Sequence, residues 1–232
     1  MLYRLFDLYI EIEERFPETK TRIFDYLANC DEKSDFKIKI TDEEIEKERN
    51  NDSEKSNSYL EMVCILRHIA EKIPDYNGMF IHAAVVEKDG CGYLLTGKSG
   101  AGKSTQAAGW VDYFGKHASI INGDKPMLRF MPDGIYAYGS PWCGVEGFSK
   151  NTSVRLKSAC FIEKSSENKI ELMQSQEVFK RLLNQTIIPQ KADRRIKHFE
   201  LLDRLIKEIP FYMLECTISK EAVITAYEKM SK

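Results

Sequence analysis

Hydrophobic and polar positions alternate near the start of the chain. Phe6, Leu8, Ile10 and Ile12 fall on one side, and Asp7, Tyr9, Glu11 and Glu13 on the other. A period of two belongs to a half-buried strand, so a strand is predicted over residues 5–13. Phe36–Ile40 alternates in the same way and predicts a second strand, with a short helix over Thr21–Ala28 before it. Thr41 and Glu44 make a capping box, with Ile40 and Ile45 as a hydrophobic staple. The helix they open runs into a polar stretch, 49–57, that reads as a loop. Ser58 and Glu61 make a second box. Met62, Leu66, Ile69 and Ile73 then mark one face of a helix that stops before Pro74.

Further along, strand patterns come in pairs. Met79–Glu87 reads as one strand, and Asp89-Gly90 is a strong hairpin signal joining it to the apolar run Gly92–Thr96. Ser119–Ile121 is another short apolar run. Met127–Phe130 and Ile135–Tyr138 flank Pro132-Asp133-Gly134 as a hairpin, and Ala159–Glu163 and Lys169–Met173 flank Ser165–Asn168 as a second. Gln176–Gln185 and Ala192–Ile209 have helical spacing, Phe211–Thr217 reads as a late strand, and Lys220–Lys232 as a closing helix. The expected fold class is α/β: a mixed, largely antiparallel sheet packed by helices. Residues 1–76 form an N-terminal strand and helix region, either a lid or an extension of the same domain. Residues 77–232 form the main domain.

One segment of this pattern carries chemistry. Residues 97–105 read Gly97, Lys98, Ser99, Gly100, Ala101, Gly102, Lys103, Ser104, Thr105, which fits the phosphate-loop pattern G-x-x-x-x-G-K-[ST]. The predicted strand before it and helix after it (Thr105–Val111) are the context this motif requires. Glycines let backbone N–H groups approach phosphate oxygens, Lys103 supplies a point charge, and the Ser104 hydroxyl is the expected Mg²⁺ ligand. A hairpin that delivers the loop argues against an all-parallel sheet, in which a crossover helix separates neighbouring strands.

A phosphate loop works with an acidic metal partner, and Asp124, just past the run Ser119–Ile121, is the expected one. His82 lies fifteen positions before Gly97, in the hairpin that leads to the loop. Gly139–Gly147 combines Trp142, Cys143 and Glu146 in a glycine-rich loop. It reads either as a packed loop anchored by Trp142 or as the wall of an acceptor pocket with Glu146 near the metal. Cys143 has no His and carboxylate that can be placed beside it, so it is not read as a nucleophile.

Composition narrows the classes. The 232 residues are 43% hydrophobic and 30% charged, with a net charge of −2. That supports a sizeable core and gives no electrostatic case for nucleic acid or an anionic membrane. No apolar run reaches the ~18 residues of a membrane span, and no signal-peptide layout opens the chain, so a cytoplasmic location is expected. The six cysteines (Cys30, Cys64, Cys91, Cys143, Cys160, Cys216) are scattered, which argues against a zinc site or a disulfide framework.

Taken together, Phe80–Val86, Leu94–Thr105 and Asn122-Gly123-Asp124-Lys125-Pro126 resemble the catalytic domain of HPr kinase/phosphorylase and its short relatives. The resemblance implies a phosphoenolpyruvate carboxykinase-like core, ATP and Mg²⁺ as cofactors, and transfer of the γ-phosphoryl group to a hydroxyl of a protein, peptide or small molecule. It implies His82, Lys103 and Asp124 as catalytic residues, 97–105 as the nucleotide loop, and Ser104 and Asp124 as metal ligands. Kinases of that family are oligomers, so a homo-oligomer is also implied. The chain departs from the family in having Gly123 where the bifunctional enzymes carry the first of two adjacent aspartates. It also lacks their C-terminal signature loop. A nucleotide-binding regulatory protein without turnover is therefore the alternative. Carboxykinase chemistry on a small organic acid ranks last, because only Arg129 and Arg155 are near in sequence to hold carboxylates.

Overall fold

The computed structural model describes residues 1–29, 32–50 and 54–232. Cys30 and part of the expected 49–57 loop lie outside the described residues. The chain opens with a hairpin, β1 (Leu2–Leu5) antiparallel to β2 (Leu8–Glu13), and β3 (Phe36–Lys39) pairs parallel with β2. The single strand expected over 5–13 is thus two strands, turned at Phe6-Asp7. Both turn residues have positive φ, 61° and 59°. α1 (Pro17–Ile23) starts earlier than the expected helix, with proline in its first turn, and continues as a short 3₁₀ turn through Tyr26. α2 (Asp42–Arg49) has the expected Thr41–Glu44 capping box. α3 (Asn57–Lys72) is capped by Ser56, whose hydroxyl accepts from Tyr59 N at 3.2 Å, and not by Ser58. Glu61 is absent from that cap because its carboxylate is fully buried and accepts from the backbone N–H groups of Arg15 (2.9 Å) and Phe16 (3.4 Å).

The next strands are β4 (Gly78–Phe80), β5 (Ala83–Lys88) and β6 (Cys91–Thr96). The strand expected over 79–87 is broken at Ile81-His82, where the backbone changes partners. His82 N–H donates to Gln185 O and Ala83 N–H to Asp124 O. The helix α4 (Lys103–Phe114) follows, then β7 (Ala118–Asn122), β8 (Met127–Met131), β9 (Gly134–Tyr138), β10 (Ser153–Lys164) and β11 (Lys169–Leu172). α5 (Ser175–Leu182), α6 (Ala192–Glu208), β12 (Phe211–Cys216) and α7 (Lys220–Met230) complete the chain.

Among the described residues, nine strands make a curled mixed sheet in the order β4-β8-β9-β10-β6-β5-β7, with β12 pairing β10 and β11. The Asp89-Gly90 hairpin pairs β5 with β6 antiparallel as expected, and β6 then runs parallel to β10. The expected hairpin around 165–168 does not form. β12 inserts between β10 and β11, parallel to the first and antiparallel to the second. The intervening strand is distant in sequence, so turn residues at 165–168 could not reveal it.

Alternate residues of the central strands go to opposite faces. Ala83, Val85, Ala159 and Phe161 pack with α5 and α6; Ala84, Val86, Cys160 and Ile162 pack with α4 and α7. The N-terminal strands and α3 share a third cluster with Phe80, Met127, Tyr138 and Trp142 of the main sheet region. Trp142 is buried there, its ring 5.7 Å from that of Phe80 and its Nε1–H donating to Met62 O at 2.9 Å. No helix of the described residues is long and apolar enough to cross a membrane.

Candidate functional site around residues 97–105

β6 ends at Thr96, and the chain turns out of the sheet through Gly97. Here glycine is required: φ is 144°, and a Cβ would lie 2.9 Å from Ile162 O on β10. The loop then enters α4 through Gly102 at φ 105°. No side chain caps that helix start and no acidic residue sits in its first turn. Its first N–H groups therefore face the cleft as a positive dipole end.

Lys103 is the first residue of α4 and is mostly buried. Its Nζ donates to the carbonyls of its own loop, Gly97 O at 3.1 Å and Lys98 O at 3.2 Å. Burial lowers its pKa, with Asp124 pulling the other way. The ammonium is held over the loop by the carbonyls it crosses, and those contacts also stiffen the loop.

Asp124 stands past the end of β7 as expected, on a turn that Asn122 fixes. Asn122 is fully buried, and its Oδ1 accepts from Asp124 N (3.0 Å) and Lys125 N (2.8 Å). The two oxygens of Asp124 have separate partners: His82 Nε2 at 3.2 Å from Oδ1, and Lys125 Nζ at 3.1 Å from Oδ2. Burial works against the charged carboxylate, but the His82 hydrogen bond and the Lys125 ammonium outweigh it, so the pKa lies below the ordinary aspartate value. Asp124 is accordingly an anion at neutral pH.

These groups share one cleft of about 730 Å³, lined by the loop from Ser99 to Gln106 together with His82, Gly123, Asp124 and Glu146. The residues singled out from sequence at 82, 103, 104 and 124 are thus brought together. Gly97 and Lys98 lie behind this lining and touch it through the Lys103 contacts. Glu146 is exposed, on the turn that follows Cys143. A Cβ on Gly144 would meet both Asp124 Cβ and Glu146 Oε2 at 3.3 Å, so the two carboxylate side chains border the same gap. In the 139–147 loop, Trp142 is buried as the anchor, and Gly144–Glu146 line the cleft. Burial raises the Cys143 pKa.

Sequence reasoning did not single out Lys125, and its signal was only adjacency to Asp124. It also missed Gln106, which lines the cleft while its amide nitrogen is buried without an acceptor among the described residues. Among the described residues, no group of three or more His, Cys, Asp or Glu could hold a metal by itself. Mg²⁺ at a phosphate loop takes one or two protein oxygens and completes its shell with phosphates and water. Ser104 and Asp124 fit that donor set.

Among solved structures the chain is similar to the HPr(Ser) kinase/phosphatase from Coxiella burnetii, at 12% identity and a TM-score of 0.36, covering 66% of this chain and 99% of that one. A likeness at that level carries no functional weight. No curated protein matches the chain. Residues 45–223 match the family model of the SynChlorMet cassette protein ScmC, and this chain belongs to that family.

Proposed function

We propose that the protein binds Mg²⁺–ATP at residues 97–105 and transfers the γ-phosphoryl group to a hydroxyl of a protein, peptide or small molecule. The observation that carries this reading is convergence: His82, the adjacent pair Lys103 and Ser104, and Asp124, on three different segments of chain, line one cleft with the glycine-rich loop. Lys103 and the uncapped α4 N-terminus would neutralise phosphate charge as it moves toward the leaving oxygen. Ser104 and Asp124 would hold Mg²⁺, which supplies further charge neutralisation when bound. Asp124 would accept the hydroxyl proton late in the transfer. Its lowered pKa makes it a weak base, which suffices where the transition state is loose and bond formation to the nucleophile is slight. His82, on Oδ1, orients that carboxylate and keeps it charged.

The same geometry supports a second reading, nucleotide binding without turnover. Gly123 is buried, and a Cβ there would lie 3.0 Å from Cys143 O, so the 139–147 loop closes over the place where a second carboxylate would stand. Incubation with γ-labelled ATP and a native extract separates the two. Transfer is expected to label an acceptor with the wild type and to fall by about a thousandfold with Lys103→Ala and Asp124→Asn. Bound ATP that stays intact for hours, with no labelled acceptor, would establish the second reading.

A further inference from the structure

The cleft continues beyond the groups used above. Ala108, Gly109 and Asp112 follow one another along one face of α4, and opposite them lie Ile218 of the β12–α7 connection and Val223 of α7. This arm has no task in phosphate binding or in proton transfer. Its chemistry is nevertheless not that of an ordinary wet surface. Ile218 is 81% exposed, a large aliphatic side chain at the edge of a groove. Asp112, Lys164 and Lys220 line the same arm, and their side chains make no hydrogen bond or ion pair with the described residues.

The floor is flat because α4 offers only Ala108 and Gly109 there. Gly109 also lets α7 approach closely, since a Cβ on it would meet Val223 Cγ2 at 3.1 Å. From Ser104 to Asp112 the helix advances ~12 Å. A triphosphate seated on the loop and running along this face would carry its sugar and base into this arm. The volume of the whole cleft, about 730 Å³, falls in the range of ~300–1,000 Å³ typical of small-molecule sites.

Resting on the reading of 97–105 as a phosphate site, we infer that this arm is the base subsite and that it takes adenine. The ring lies between the Ala108–Gly109 floor and Ile218, which is covered in the process. Asp112 can only accept hydrogen bonds when ionised, so it selects a base edge that carries an amino group. An edge that carries a carbonyl oxygen at the same place would face the carboxylate with no proton between them.

The test is calorimetric titration of the wild type and Ile218→Ser with inorganic tripolyphosphate, ATP and inosine triphosphate, each with Mg²⁺. In the wild type, ATP is expected to bind about tenfold tighter than either of the other two. Ile218→Ser is expected to bring ATP down to the level of tripolyphosphate, leaving tripolyphosphate itself unmoved, since the position is exposed and the phosphates do not reach it. Equal affinities of the wild type for ATP and tripolyphosphate would overturn the base subsite while leaving the phosphate site standing. An undiminished ATP advantage in Ile218→Ser would do the same. Equal affinities for ATP and inosine triphosphate would overturn the role of Asp112. Failure of all three ligands to bind would overturn this inference and the phosphate-site reading together.

Discussion

The hairpin turns at Phe6-Asp7 and Asp89-Gly90 have the same left-handed backbone for different reasons. Both are two-residue connections, closing Leu5 onto Leu8 and Lys88 onto Cys91. All four turn residues have positive φ, 61° and 59° in one, 50° and 77° in the other. At Asp89-Gly90 the cause is local, because Asp tolerates and Gly favours that conformation and the turn matches the twist of its strands. At Phe6-Asp7 the local preference runs the other way, and distant groups hold the turn. The Phe6 ring is buried 5.5 Å from Phe80 and 6.4 Å from Tyr138. Arg129 donates to Phe6 O at 2.9 Å, and Tyr138 OH donates to Asp7 Oδ2 at 2.6 Å. Burial and the Asp7 hydrogen bond push the Tyr138 pKa up to about 12, so its proton stays on the hydroxyl as that bond requires.

The contrast extends to the regions around the turns. The strand–loop–helix around 97–105 follows from its own residues, whereas the N-terminal sheet is held by what it docks against.

The sharpest way to break this comparison is Phe6→Gly. Local strain would fall by ~1 kcal/mol, but loss of the buried ring costs ~3–5 kcal/mol, so a net destabilisation of about 3 kcal/mol is expected in chemical denaturation. An unchanged or higher stability would show that the turn is set locally after all.

A second effect of tertiary burial should appear in the pH dependence. His198 on α6 is buried beside Thr186, with its Nε2 3.2 Å from Oγ1, and burial lowers its pKa to about 4. The unfolded side chain titrates at ~6.5, so below that pH the unfolded state binds the proton first. The stability from keeping His198 neutral is present above pH ~6.5 and is lost as pH falls towards ~4, up to roughly 3 kcal/mol. Denaturation of His198→Phe across that window should show a flatter slope than the wild type.

Smaller effects belong to the local turn. No atom lies within 4 Å of a Cβ on Gly90, so Gly90→Ala should cost only the backbone strain, about 1 kcal/mol. Asp89→Asn keeps the tolerance of positive φ but removes the charge paired with the mostly buried Lys88 ammonium, and should lower the thermal midpoint by ~2–3 °C.

What the sequence revealed follows the same division. The strand–loop–helix around 97–105, the Asp89-Gly90 hairpin, the Thr41–Glu44 capping box and the place of Asp124 past β7 were legible, because each is encoded within about ten consecutive residues. The break at Ile81-His82 was not, because it comes from partners at Asp124 and Gln185. Nor was the insertion of β12 between β10 and β11, which requires residues about forty to fifty positions apart to pair. Glu61 shows how a local rule can mislead. Its spacing from Ser58 fits a capping box, but the carboxylate is drawn into the interior by two backbone N–H groups that no side chain of α1 satisfies. In the candidate site, Lys103, Ser104 and Asp124 were legible because their chemistry has a fixed spacing or follows a strand end. Lys125 and Gln106 were not, because adjacency to Asp124 and to the loop was their sole signal, and Ile218 was not, because its proximity to the cleft depends on how the elements pack.

The central claim is that 97–105 and Asp124 form a working phosphate site. Calorimetric titration of ATP into the wild type and Lys103→Ala, with and without Mg²⁺, tests it most directly. Micromolar binding that needs Mg²⁺ and weakens by about a hundredfold without the Lys103 ammonium is the expected result. Absence of binding, or binding indifferent to both Lys103 and Mg²⁺, would contradict it.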